Sequence, residues 1–245
     1  MTDQELARFG MTRAQAEKML KPNVFEDPED ILLDSMIRRA GNPSRTLTLK
    51  RNYLHYGVYV LHGEKDDVVP TFIARDMRAL LGTYHPDFAY YEYPNGSHWY
   101  GNHSVDHAPI FEFFKYRNIK APEKIDKIEF YTASPGVSAS SHFVSILQQE
   151  SPFEISSLKF TRDSISALST ENVSTLAIDL EKMGNAAGAI SIDNQNISIG
   201  ENVSQLYMRN DNGKWSVAAK PSLEEKGPHR NGGFKDAFRN NLVLV

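Results

Sequence analysis

The feature that most constrains this chain is a change of period part-way along it. Up to about residue 118, helical repeats alternate with short continuous apolar runs. Beyond the segment Lys120-Ala121-Pro122-Glu123-Lys124, apolar residues recur at every second position. The first pattern suits a parallel sheet with crossover helices, and the second suits short half-buried strands. The expected fold is therefore α/β followed by all-β. A length of 245 residues accommodates two ordinary domains. The polar, proline-bearing stretch from Lys120 is the natural linker, which sets the expected domains at 1–119 and 120–245.

Within the first half, Thr12 to Leu20 has helical spacing with Thr12 placed as N-cap. Asp27-Pro28-Glu29-Asp30 ahead of Ile31-Leu32-Leu33 is a second helix start: a capping Asp, Pro at the first helical position and acids in the first turn. Gly41 and Pro43 end that helix. Val58 to Leu61 is a continuous apolar run, as expected of a strand covered on both faces. Pro70 to Leu81 is amphipathic, with Phe72, Ile73, Met77, Leu80 and Leu81 offered to a core and Gly82 as a stop. Phe88 to Tyr93 reads as the next strand. Ile110, Phe111, Phe113 and Phe114 belong to a last helix expected to start near Ser104.

In the second half, strands are expected at Ile128–Tyr131, Phe153–Phe160, Ser164–Leu168, Val173–Leu180, Ala189–Ile192, Ile197–Ile199, Leu206–Met208 and Trp215–Val217. Most are rich in β-branched or aromatic residues. Asp211-Asn212-Gly213 between two of them signals a hairpin. Many short strands at close spacing suggest a sandwich-like domain or a small barrel. The apolar run Leu242–Val245 at the chain end reads as a strand whose domain continues further.

Composition narrows the function. The net charge of −4 argues against nucleic acid as the main partner. No run approaches the ~20 apolar residues of a membrane span, so no membrane partner is expected. The start, Met-Thr-Asp-Gln-Glu-Leu, carries no signal-peptide pattern; a signal in a longer parent would lie outside this chain. The absence of cysteine excludes disulfides, thiolate metal sites and cysteine nucleophiles. No residue pattern fixes an oligomeric state.

Two residues stand out as catalytic candidates. Asp66, in His62-Gly63-Glu64-Lys65-Asp66-Asp67-Val68-Val69-Pro70, lies just past the C-terminal end of an expected parallel strand, where open α/β sheets place functional side chains. His98, in Asn95-Gly96-Ser97-His98-Trp99, lies in a loop after the next strand. An α/β-type serine hydrolase carries its triad in the chain order Ser, Asp, His, and Asp66 and His98 fit the last two places. The bland alternatives are a helix-capping turn for Asp66, with Asp67 its nearest competitor, and a surface position for His98. His103 and His107 follow at helical spacing, but no Glu follows His103 as in a zinc-protease motif, so no metal is expected. His55, His85, His142 and His229 read as ordinary loop or strand residues, and no cofactor motif is found. The nucleophile is missing: no Gly-x-Ser-x-Gly elbow occurs in residues 1–65. Gly136-Val137-Ser138-Ala139-Ser140 lacks the last glycine and follows the histidine, so it reads as a turn. Ser97 reads as a loop residue, and Lys226-Gly227-Pro228-His229-Arg230 with Gly232-Gly233 as an ordinary connection.

The stretch His62 to Pro70 resembles the acid-bearing motif of the prolyl oligopeptidase family of serine peptidases and their esterase relatives. That motif is His-Gly-x-x-Asp, followed by Asp or Asn and then Val-Pro or a similar pair. The resemblance spans about residues 25–117. It implies the C-terminal part of an α/β-hydrolase domain, with Asp66 as the catalytic acid and His98 as the catalytic histidine. Trp99 stands where the family often has glycine. Asn172-Val173, Ile192-Asp193-Asn194-Gln195, Gly213-Lys214-Trp215 and the stretch Lys226–Phe238 are similar to the β-rich domain that follows the hydrolase domain in some large bacterial proteins of this type. The resemblance implies a parent that cleaves a peptide or ester substrate, with its serine upstream of residue 1. This chain by itself is then expected to be inactive. The alternatives are a carbohydrate or small-molecule esterase on the same fold, and a degenerate, non-catalytic hydrolase scaffold with a binding β domain.

Overall fold

The computed structural model describes residues 6–7, 10–15, 28–162, 166–184, 188–225 and 227–228. The chain has mixed α and β content, with most of its regular structure in sheets and no closed barrel among the described residues. It forms two compact units, Met1–Ile31 with Tyr53–Ile119, and Leu32–Asn52 with Lys120–Val245.

Thr12 caps its helix as the sequence suggests. Its backbone N–H donates to Gln15 Oε1 at 2.8 Å, and Gln15 N–H donates back to Thr12 Oγ1 at 3.3 Å. The rest of that expected helix, residues 16–20, and the Asp27 cap lie outside the described residues. Helix α1 (Pro28–Ala40) carries acids in its first turn and Arg38 and Arg39 in its last, as the helix dipole favours. Gly41 N–H closes it onto the Ile37 carbonyl at 3.0 Å.

The first unit is built on one strand–helix–strand crossover. β1 (Val58–Gly63) leads through α2 (Thr71–Leu81) to β2 (Phe88–Tyr93), and β1 and β2 pair in parallel with Val58 opposite Phe88 and Gly63 opposite Tyr93. Thr71, Ala74 and Leu81 are the buried positions of α2. Ile73, expected in the core, is about half exposed, because a helix over the two strands present among the described residues can bury no more than a narrow stripe. The last helix, α3 (Ala108–Lys115), starts later than expected. A separate 3-10 turn occupies Gly101–Ser104, and Pro109 sits in the first turn of α3. His85 is buried and uses both ring nitrogens locally: Nε2–H donates to the Tyr53 and Tyr56 carbonyls, and Nδ1 accepts from Asp87 N–H. It is a structural residue, as its surroundings in the sequence suggested.

The second unit contains two five-stranded sheets. Its strands are β3 (Lys127–Thr132), β4 (Ser140–Ser141), β5 (Val144–Gln148), β6 (Ser156–Thr161), β7 (Ala167–Glu171) and β8 (Thr175–Asp179). After the short helix α4 (Leu180–Met183) come β9 (Ala189–Ile192), β10 (Gln195–Ser198), β11 (Gln205–Asp211) and β12 (Lys214–Ala218). One sheet has the order β10-β9-β7-β6-β3 and the other β12-β11-β8-β5-β4. Among the described residues of this unit, all strand pairs are antiparallel except β7 with β9. Alternate residues of both sheets enter one buried cluster: Ile128, Phe130, Leu158 and Phe160 from the first, Val144, Ile146, Leu176 and Met208 from the second. Burying each such side chain stabilises the unit by about 1.5–3 kcal/mol. Asn212 and Gly213 both take positive φ, so the expected hairpin is the two-residue turn that matches strand twist.

Residues 32–52 group with this β unit and not with 1–119. Asn52 supplies the reason. Its side-chain amide donates to the Tyr131 carbonyl and accepts from the Tyr131 N–H, both at 2.8 Å, so it occupies the free edge of β3 as a neighbouring strand would. Arg51 adds a two-pronged contact to Glu129 at 3.1 and 2.8 Å. Phe153, expected to open a strand, instead has φ of 63° in a turn, and β6 begins at Ser156. β4, two serines, and β5, Val-Ser-Ile-Leu-Gln, were not anticipated, although Val144 and Ile146 alternate as a half-buried strand requires. The Lys226 loop apart from Gly227 and Pro228, and the chain end Leu242–Val245, lie outside the described residues.

Candidate active site

The chemistry of the first unit gathers beyond the C-terminal ends of β1 and β2. β1 ends at Gly63, and the chain turns through Glu64 and Lys65 to Asp66. Asp66 Oδ1 accepts the backbone N–H groups of Val68 and Val69, both at 2.9 Å. That is the Asx-type turn expected of an aspartate ahead of a helix. Asp66 therefore forms the turn considered for it and also contacts His98. One carboxylate oxygen shapes the turn, and the carboxylate also faces His98, whose Nδ1 lies 3.1 Å from Oδ2 and 3.3 Å from Oδ1. Asp67 is exposed and takes no part in that contact.

The loop carrying His98 is sewn to the acid turn by backbone. Lys65 N–H donates to the Gly96 carbonyl at 2.7 Å, and Glu64 N–H to the Tyr93 carbonyl at 3.0 Å. The Glu64 carboxylate accepts Asn95 N–H at 2.7 Å. Asn95 takes φ of 57°, a left-handed conformation that asparagine tolerates, and Gly96 packs its backbone against Tyr93 and Tyr100. The rings of Tyr93 and Tyr100 stack 4.6 Å apart beneath the loop. Ser97 donates its hydroxyl to the Trp99 carbonyl at 2.8 Å, which makes it a loop-closing residue as expected.

Electrostatics favour a charged Asp66. Burial works to raise its carboxyl, but the hydrogen bonds from Val69, His98 and Val68 outweigh it and hold the carboxyl below its ordinary value. The Asp66 side chain is 6% exposed and that of His98 34%. A carboxylate can only accept, so the proton of neutral His98 lies on Nδ1, and Nε2 presents its lone pair. Among the described residues, nothing hydrogen-bonds to that nitrogen. The result is a buried acid, an oriented imidazole and a basic nitrogen facing outward. Chemically, such an arrangement can accept a proton from a hydroxyl brought to Nε2 and stabilise the resulting imidazolium.

The competing histidines go elsewhere. His103 stacks on Tyr93 with centroids 5.4 Å apart, and His107 on Tyr91 at 5.1 Å. Among the described residues, no three His, Asp or Glu side chains converge as metal ligands would. The Gly136–Ser140 look-alike is a turn, closed by Val137 and Ser138 N–H groups on the Ser134 carbonyl. Trp99 is 72% exposed and sets its ring edge-on to His98 at 5.3 Å.

Sequence reasoning missed His62 and Gly63. His62 Nε2 lies 3.0 Å from the Val69 carbonyl and 3.6 Å from Asp66 Oδ2. Its position four residues before the acid was the available signal. Gly63 leaves room for the carbonyls of Gly96 and Ser97, which a β-carbon would overlap. No protein-family model, no curated protein and no solved structure matches this chain.

Proposed function

We propose that this chain carries the acid–base half of a serine-hydrolase triad of the prolyl oligopeptidase type. In this reading β1, α2 and β2 are the last crossover of an α/β-hydrolase sheet, and a sheet-rich accessory domain follows. The observation that carries the reading is the contact of Asp66 Oδ2 with His98 Nδ1 at 3.1 Å, past the ends of two adjacent parallel strands. The motif His62 to Pro70 and the chain order of acid before histidine support it.

The mechanism follows from those atoms. A serine hydroxyl supplied by sequence upstream of residue 1 attacks the substrate carbonyl and passes its proton to His98 Nε2. Asp66 holds the imidazole in the required tautomer and stabilises its charged form. Collapse of the tetrahedral intermediate breaks the peptide or ester bond, and His98 returns the proton to the leaving group. Water, activated by the same nitrogen, then releases the acyl group. The reaction class is acyl transfer, with a peptide as the leading substrate.

The test is to read the coding frame upstream of Met1 and express it through its Gly-x-Ser-x-Gly segment. Peptidase and esterase turnover are then compared for this protein and its His98→Ala variant. A loss of about 10⁴-fold or more on substitution is expected. Undiminished turnover in the variant overturns the reading by showing that His98 is not the base; a frame that begins at Met1 overturns it in favour of a non-catalytic scaffold.

A further inference from the structure

We infer that His62 is a positioning residue for the acid turn: by gripping the Val69 carbonyl it fixes the Asp66 carboxylate, and through it the tautomer of His98. The inference rests on the reading of Asp66 as the residue that orients His98, and it adds a group to which neither the motif nor the triad assigns a task.

The geometry is a two-sided clamp on one residue of the turn, Val69, whose N–H and carbonyl belong to successive peptide units. The Val69 N–H donates to Asp66 Oδ1 at 2.9 Å. The Val69 carbonyl lies 3.0 Å from His62 Nε2. A carbonyl oxygen can only accept, so His62 carries its proton on Nε2 and donates it there. The same nitrogen stands 3.6 Å from Asp66 Oδ2, too far for a hydrogen bond, so its hydrogen-bond partner is the Val69 carbonyl. His62 sits on β1, directly opposite Glu92 of β2. Its ring is thus anchored on the parallel strand pair, while the turn it holds is irregular backbone. The His62 side chain is 13% exposed, while Val69, whose carbonyl it meets, lies at the surface.

Two carboxylates face this ring, Asp66 from the turn and Glu92 from β2, and Glu92 is already engaged by Arg75 and Tyr90. The Oδ2 atom of Asp66 is the one nearest both His62 and His98 Nδ1. Without the His62 contact, the Val69–Pro70 peptide unit is freed, the backbone at Val69 can shift, and the carboxylate bonded to the Val69 N–H follows it. A carboxylate that swings releases His98 Nδ1–H, and the imidazole can then populate the Nε2–H tautomer, which has no basic nitrogen facing outward.

The experiment uses the chain as it stands, with histidine ring tautomers read from two-bond ¹H–¹⁵N correlation spectra and amide exchange read at Val68 and Val69. In the unsubstituted protein His62 is expected as the Nε2–H form and His98 as the Nδ1–H form; an Nδ1–H form of His62 would overturn the inference before any variant is made. His62→Gln keeps an N–H that reaches the Val69 carbonyl, whereas His62→Met keeps bulk and loses the donor. Met is expected to speed Val69 exchange about fivefold and to lower the Nδ1–H share of His98, and Gln to restore both. Equal behaviour of Met and Gln, both folded by their urea midpoints, would show that His62 only fills space. Asp66→Asn examines the underlying reading separately: if it leaves the His98 tautomer unchanged, the orienting role of Asp66 fails whatever His62 does.

Discussion

Gly63 and Ser97 approach so closely that a β-carbon on Gly63 would overlap the Ser97 carbonyl oxygen, and it would lie 2.6 Å from that of Gly96. Both obstacles are backbone, so no side-chain rotation relieves them. Gly63→Ala must therefore push the loop bearing His98 away from the turn bearing Asp66. We expect a loss of about 3 kcal/mol in stability, at the upper end for overpacking. We also expect loss of the Asp66–His98 contact. Urea unfolding reports the first, and the His98 ring spectrum the second. A variant of unchanged stability with His98 still in the Nδ1–H form would show that the loop yields freely.

The neighbouring aspartates separate the orienting role from the local one. In Asp66→Asn, the remaining carbonyl oxygen still accepts from Val68 and Val69, so the turn survives. The new amide N–H₂ facing His98 must be met by an acceptor, which turns the ring to its Nε2–H form. Turnover of the upstream-extended enzyme should fall by about 10⁴-fold. Asp67→Asn, at an exposed position, should change stability by no more than about 0.5 kcal/mol and leave His98 as it was. Equal losses at both positions would overturn the assignment of Asp66.

The pairing of Asp66 with His98 could be anticipated because chain order and strand-end position are one-dimensional facts. β1, α2 and β2 were equally legible, since a continuous apolar run, an amphipathic repeat and a second run mark them within a residue or two. What could not be read was whatever depends on a partner distant in sequence. Asn52 gives no local sign that its amide will close the edge of β3. His62 opens the His62–Pro70 motif, but no task is legible for it until Val69 faces it across the turn. Helix α1 has strong local start and stop signals, yet Ile31, Leu32, Leu33, Met36 and Ile37 remain exposed, and local periodicity does not foretell that. Phe153 carries strand propensity but is overruled by a left-handed turn, held in part by the Gln149 side chain accepting its N–H.

The Asn52 amide makes a prediction for the β unit. Asn52→Ala leaves Tyr131 N–H and C=O without their partners on the free edge of β3. The expected cost is about 1–2 kcal/mol, with increased self-association through the uncovered strand edge. Asn52→Asp should fall between, because the carboxylate still accepts from Tyr131 N–H but cannot donate to its carbonyl. Urea midpoints and sedimentation velocity check both statements. An alanine variant that is as stable and as monodisperse as the parent would mean that water serves the edge equally well.

Acid stability should depend on Glu92. Arg75 grips its carboxylate with two bonds of 2.8 Å, and Tyr90 donates its hydroxyl at 2.6 Å. The Arg75 contact, outweighing the effect of burial and assisted by Tyr90, holds the Glu92 carboxyl down at about 2, against 4.5 for a free one. A depressed carboxyl contributes stability that is fully present above about 4.5 and is lost as pH falls toward 2, because the unfolded chain takes up the proton first. Arg75 is 49% exposed, so water screens the pair and the contribution is about 1 kcal/mol. Asp66, also lowered, acts in the same direction, so the two must be separated by substitution. Glu92→Gln should lower the urea midpoint near neutral pH, and the gap from the parent should close on acidification. Asp66→Asn should remove a further part of the acid sensitivity. A constant gap between parent and Glu92→Gln across the acid range would show that the carboxylate acts through packing and not through its charge.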